Sequence, residues 1–445
     1  MTGASAEADV RPSPTRRRGP VGPRLVLVLV LGTLALSLAV TLLVGGGQVF
    51  AAAGASRRLV LPLVYLGAVL IVLHLGTGGR RVRLGPLWLW APLLLAALSG
   101  LVNLGGFLTD GLPTNAVQGV LLLGGFSLLG VCGAVAGRWD ERQRYWLLAG
   151  TTVAAVLAAS LRTLTLTPYG ALVVPAVFLA LLMTLKGRQH RLAWGAGTVA
   201  LAVLGSQALS PGPGLPISIA VLGQIAVCAG VVLVAVLPRT LRAAAMTVGT
   251  LGLLGVVALP GVTAYLSGEY TGDDVTLAQR AYETQQVLHE VQETPLGPLI
   301  GRGPAATVDL TDSPDRETLR QSGRDLLRVD DVHLVTSYVI LKAGALGLLW
   351  WLGLVLVIVR YLWSTLVAAE VDVWRAALLL FVTSGLVAGF PAGTETFSNP
   401  LLPLLLGVLW AERRADSDRS HRLVLDRSRR RSLAAPSVTP SATRP

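Results

Sequence analysis

The stretch VTSYVILKAGALGLLWWLGLVLVIVRY, residues 335–361, is apolar over nearly its whole length. A helix rising ~1.5 Å per residue needs about 20 such residues to cross ~30 Å of hydrocarbon, so this stretch predicts a membrane-spanning helix. Working outward, apolar runs of the same kind fall at 24–46, 59–76, 86–104, 117–137, 145–161, 168–185, 191–208, 215–237, 242–266, 373–391 and 399–411. The pattern predicts an all-α polytopic membrane protein of about twelve transmembrane helices, with one large extracytoplasmic loop that contains short helices.

Composition and charge agree with that class. Of 445 residues, 53% are hydrophobic and 14% charged, a balance too apolar for a domain that must keep a polar surface. The net charge of +12 does not imply a nucleic-acid partner, because most arginines sit in short connections between apolar runs. With the N-terminus inside, Arg80, Arg81 and Arg83, then Arg138, Arg142 and Arg144, then Lys186, Arg188 and Arg191, then Arg239 and Arg242 all face the cytoplasm. Arg57, Arg58 and Arg162 fall outside under the same assignment. The chain then divides into a disordered cytoplasmic N-terminus (1–23), a nine-helix bundle (24–266), the loop (267–332), three further spans (333–412) and a basic cytoplasmic tail (413–445). Cys132 and Cys228 each lie inside an apolar run and read as small buried residues rather than a disulfide or metal pair. No metal site and no cofactor are expected.

The 267–332 loop holds 13 of the 25 acidic residues against six arginines, unlike anything else in the chain. The other connections are too short for a nucleotide-binding domain. Between the apolar runs there is neither a Gly-x-x-x-x-Gly-Lys phosphate loop nor an Asp-x-Asp pair. ATP-driven pumping and use of cytosolic sugar nucleotides are therefore disfavoured.

Inside the loop, Ala278, Ala281, Tyr282, Leu288 and Val291 recur at helical spacing and predict an amphipathic helix over 275–292. A turn, PLGPLIGRGP, follows from Pro295 to Pro304 and carries Gly301, Arg302 and Gly303. Ser313-Pro314-Asp315 then supplies the cap, first-turn proline and acidic start of a second helix reaching about Arg328. On it Arg316, Arg320, Arg324 and Arg328 recur every four residues. That stripe reads either as a solvated face paired with Glu317, Asp325 or Asp315, or as a clamp for a polyanion. His333 opens the next apolar segment and is placed near the outer surface. Eleven helical steps of about 100° bring it onto the face of Gly344. Gly344 and Gly347 beneath it would admit another helix closely.

In the order of these parts the chain resembles the O-antigen ligase and O-antigen polymerase superfamily. The parts are a large loop before a late span, Arg280 ahead of the Gly301–Gly303 turn, then His333, ten residues, Gly344 and Gly347. The family often has Leu where Thr284 stands and Asn where Leu334 stands. The distinctive stretch covers roughly 280–347.

The resemblance implies transfer of a glycan from an undecaprenyl pyrophosphate carrier to an acceptor at the outer face of the bacterial cytoplasmic membrane, without metal or sugar nucleotide. The acceptor is a glycan, lipid, protein or wall polymer. Pyrophosphate is a good leaving group, so the reaction asks mainly for anion stabilisation and a base for the acceptor hydroxyl. Arg280 and His333 are the candidate catalytic residues. Arg302, Gly301, Gly303 and the Arg316–Arg328 stripe are the candidate donor contacts. Arg162, at an outer helix end, and Glu395, in the short outer loop between the last two helices, are lesser candidates for the carrier phosphate and for an acid or acceptor-binding group respectively. The competing reading is a transporter or flippase for a lipid-linked or anionic solute, in which the same arginines line a path. The absence of an evident inverted repeat and the scarcity of mid-membrane ionisable residues disfavour it.

Overall fold

Long apolar runs without glycine or proline clusters favour helix, and the computed structural model is mostly helical. It describes residues 21–44, 49–77, 85–103, 114–136, 139–160, 170–186, 219–238, 240–244, 275–313, 328–329, 332, 334–368, 371–389, 396–397, 399–415 and 417. The long helices are α1 (Val21–Val44), α2 (Val49–Thr77), α3 (Leu87–Val102), α4 (Thr114–Val135), α5 (Glu141–Ser160), α6 (Gly170–Leu185) and α7 (Ile219–Val236). The loop region contributes α8 (Val275–Gln292), the single turn α9 (Gly297–Ile300), and strands β1 (Val308–Asp309) and β2 (Arg328–Val329). Helices α10 (Val335–Val367), α11 (Val373–Gly389) and α12 (401–415) complete the order. These helices coincide with the apolar runs of the sequence to within a few residues at most ends. The runs at 191–208 and 245–266 lie outside the described residues.

Helix α11 packs on α6 and α7, α4 packs on α2 and α3, and α10 lies against α3, α8 and α9. The core is apolar and dense with Leu, Val and aromatic rings: Phe397 meets Tyr338 at 5.3 Å and Phe126 at 5.6 Å between ring centroids. Inside it Ser384 on α11 donates to Gln224 on α7 at 3.0 Å, a buried polar pair bonded as desolvation demands. Cys132 and Cys228 are buried and free, as their positions in apolar runs imply.

The outward faces are apolar as well. Leu63, Leu66, Leu70 and Leu73 form an exposed stripe on α2, and Leu349, Leu352, Leu356, Val359 and Trp363 form another on α10. A helix of a water-soluble bundle carries polar residues on that side. By length and composition α10 is long and apolar enough to cross a membrane over Val335–Thr365, and seven shorter helical segments among the described residues are also apolar.

One end of the bundle is fastened by charge. Glu412 accepts from Arg144 Nη2 at 3.0 Å and from the Trp139 backbone N–H at 3.0 Å, and Arg144 stands 3.8 Å from Asp372 and 5.4 Å from the Trp374 ring centre. These contacts tie α12 to the start of α5 and the head of α11.

Candidate functional site

The loop does not simply cap the bundle; its glycine turn enters it. Helix α10 breaks at Gly344, whose φ of 63° and ψ of −154° are non-helical and, for a residue with a Cβ, strained. Into that break fits the end of α9. A Cβ at Gly344 would lie 2.5 Å from Gly301 N, Ile300 N and Leu299 C, and one at Gly301 would lie 2.6 Å from Lys342 C and 2.7 Å from Gly344 N. Gly301 itself has φ 75°. Each glycine therefore makes room for the other's backbone.

Hydrogen bonds complete the seat. Arg302 N donates to Leu341 O at 2.8 Å, across the break. Lys342, 1% exposed, donates from Nζ to Pro304 O at 3.0 Å and to Ala306 O at 2.6 Å. Ser99 of α3 donates to Lys342 O at 3.0 Å. Pro304 rests on Gly119 of α4, where any Cβ would strike its backbone. Buried non-helical backbone is tolerated because its polar groups find partners in protein. Arg302 leaves this seat toward the surface, with Nη2 3.3 Å from Glu293 Oε2 and its side chain 27% exposed.

Helix α8 spans the predicted 275–292, but its buried face differs from the expected apolar one. Gln279, Glu283, Val287, Glu290 and Val291 are buried, whereas Leu288 is exposed. Gln279 donates to Glu283 at 3.0 Å and accepts a short bond from Ser313, while Thr284 and Ser337 share a bond of 3.0 Å. A polar face can pack here because α10 and the 308–313 segment offer matching groups. Thr284, a departure from the pattern of the resemblance, thus helps tie α8 to α10. Burial of Tyr282 raises its pKa, the Asp312 backbone hydrogen bond pulls the other way, and the charges of Asp312 and Asp309 raise it further.

Arg280 is half-buried on α8 within one turn of Thr284, whose hydroxyl donates to the Arg280 carbonyl at 2.8 Å. The site thus brings together Gly301, Arg302, Gly303 and Gly344, and docks the helix bearing Arg280 beside them.

The surroundings differ from expectation at four positions. Arg328, expected at the end of the second loop helix, lies in β2 opposite Asp309 of β1, so the four-arginine stripe loses its last member. Ser313, expected as that helix's cap, donates from its hydroxyl to Gln279 of α8. At Gly344, expected on a regular helix, α10 is interrupted nine residues after its start at Val335. At Gly347 the nearest neighbours of a Cβ belong to its own helix, Ala343 Cβ at 2.6 Å and Val339 Cγ1 at 2.8 Å. His333, Arg316, Arg320, Arg324, Arg162 and Glu395 lie outside the described residues.

The residue missed in the sequence is Lys342. Its signal was present: a lysine two positions before a glycine in an otherwise apolar helix. Among the described residues no group of His, Cys, Asp and Glu is arranged to hold a metal ion. Comparison with known protein families and with curated proteins finds no match to this chain.

Proposed function

We propose that the chain is a multi-pass protein of the bacterial cytoplasmic membrane, with about twelve spans and both termini inside. We further propose that it transfers an undecaprenyl-pyrophosphate-linked glycan to an outer-face acceptor, as a polysaccharide polymerase or ligase. What supports the reading is the seat of the Gly301–Gly303 turn in the Gly344 break. Parts of the resemblance separated by some forty residues in sequence meet there, and Arg302 and the Arg280 helix stand beside them. The apolar outer stripes of α2 and α10 support the membrane setting.

In this reading the acceptor oxygen attacks the anomeric carbon, the bond from that carbon to the pyrophosphate oxygen breaks, and the acceptor proton passes to His333. The departing lipid pyrophosphate keeps the electron pair, and Arg280 and Arg302 offset its charge by charge-assisted bonds.

The test is reconstituted transfer from a purified lipid-linked donor, comparing wild type, His333→Ala and His333→Gln from pH 5 to 8. A base must be neutral to accept a proton, so wild-type rate falls as pH drops through the imidazole range near ~6.5. General-base help is worth ~10²–10⁴-fold, so both variants lose most turnover. Near-wild-type rates in His333→Gln exclude the base role. Absence of transfer by wild type refutes the reading and leaves the transporter class.

A further inference from the structure

Lys342 is one of two lysines in a chain with 35 arginines, and it stands in the wall between α3, α10 and the inserted turn. At 1% exposure it cannot touch a substrate. Its Nζ reaches Pro304 O and Ala306 O, and it lies 5.5 Å from the Tyr338 ring centre. A compact amine fits between two carbonyls separated by one residue, whereas a planar guanidinium spreads its donors too widely. Burying such a group is costly unless it is well bonded, so Lys342 and the turn hold each other.

Arg302 sits just before this clamp. Its own N–H is pinned to Leu341 O, the residue preceding Lys342, and its side chain runs outward to Glu293. The backbone on both sides of Arg302 is thereby fixed by consecutive residues of α10. We propose that Lys342 is a positioning residue for Arg302, setting the guanidinium where it meets the pyrophosphate of the lipid-linked donor. This rests on the glycan-transfer reading. It assigns a donor-affinity role to a side chain that no donor can reach.

The consequence is non-additivity, because Lys342 acts through Arg302. In reconstituted transfer, Lys342→Met raises the donor KM about tenfold or more, the effect of a lost charge-assisted bond. Arg302→Gln does the same, and the double variant is no worse than the more impaired single one. Because Arg302 meets charge that grows as the pyrophosphate departs, kcat falls with it in both variants, while the shape of the pH profile, which reports the base, stays that of wild type. Lys342→Gln, which keeps one donor, recovers part of the loss and serves if the Met variant does not fold. Additive effects on kcat/KM, or a changed pH profile in Lys342→Met, overturn the proposal while the glycan reading stands. If wild type transfers nothing, the glycan reading and the donor role fall together. The clamp is then judged alone by maleimide labelling at Ala306→Cys, where an unchanged rate in Lys342→Met overturns it too.

Discussion

Replacing Gly344 by Ala isolates the seat from the chemistry. The backbone there, at φ 63° and ψ −154°, belongs to a region nearly closed to residues with a Cβ, at a cost of ~1–3 kcal/mol. The new methyl would sit 2.5 Å from three backbone atoms of Leu299, Ile300 and Gly301, where ordinary contact begins at 3.4 Å. The turn must therefore withdraw by about 1 Å. That displacement stretches the Lys342 bonds, now 3.0 Å and 2.6 Å, toward or beyond hydrogen-bonding range. Each charge-assisted bond is worth ~1.5–3 kcal/mol. The seat then loses about 4 kcal/mol or more, and ~1.4 kcal/mol is a factor of ten. A cysteine at Ala306 should react with maleimide ~10²–10³-fold faster in Gly344→Ala than in its parent. Cys132 and Cys228, both buried, report that the bundle stays folded by remaining unlabelled. Gly353→Ala is the control, since a Cβ there meets nothing within 4 Å. Equal labelling of Gly344→Ala and its parent, with Cys132 and Cys228 protected in both, would refute the interlock.

Two other outcomes follow from the fold. Glu412→Ala strips the acceptor from Arg144 and from the Trp139 N–H, and should cost ~3 kcal/mol, read as a lowered unfolding temperature in detergent; a neutral Glu412→Leu/Arg144→Leu pair should recover part of it. For the proposed topology, cysteines at the exposed Asp312 and Ser417 should report opposite sides of the membrane, with impermeant reagent in intact cells labelling the first alone. Labelling at both positions refutes the twelve-span arrangement.

The helices were legible because apolar length is a local property; α3, α7, α10 and α11 begin and end near where hydropathy changes. The loop helix α8 was legible in extent but not in facing. Its apolar residues do not share one side, and the burial of Gln279 and Glu283 depends on Ser313 and on neighbours far away in sequence. The stripe failed at Arg328 because four-residue spacing also fits an extended segment, and pairing with β1 decides between them. The turn was legible from Gly301 and Gly303, yet its destination was not. Nothing local says that Gly301 and Gly344 occupy one another's missing side chains.

That destination also explains the residues that break the helical pattern of α10. A lysine and a positive-φ glycine two positions apart are individually unfavourable in an apolar helix, by desolvation and by backbone strain respectively. Together they are consistent, because the break exposes the carbonyl of Leu341 to Arg302 N and lets the turn come near enough for Lys342 to bond two of its carbonyls. Removing either leaves the other without its purpose: Lys342 without the break cannot reach the turn, and the break without Lys342 leaves buried carbonyls of Pro304 and Ala306 short of donors. Local conflicts that resolve only in the assembled fold concentrate at functional positions. This one lies beside Arg302, on which the proposed transfer depends.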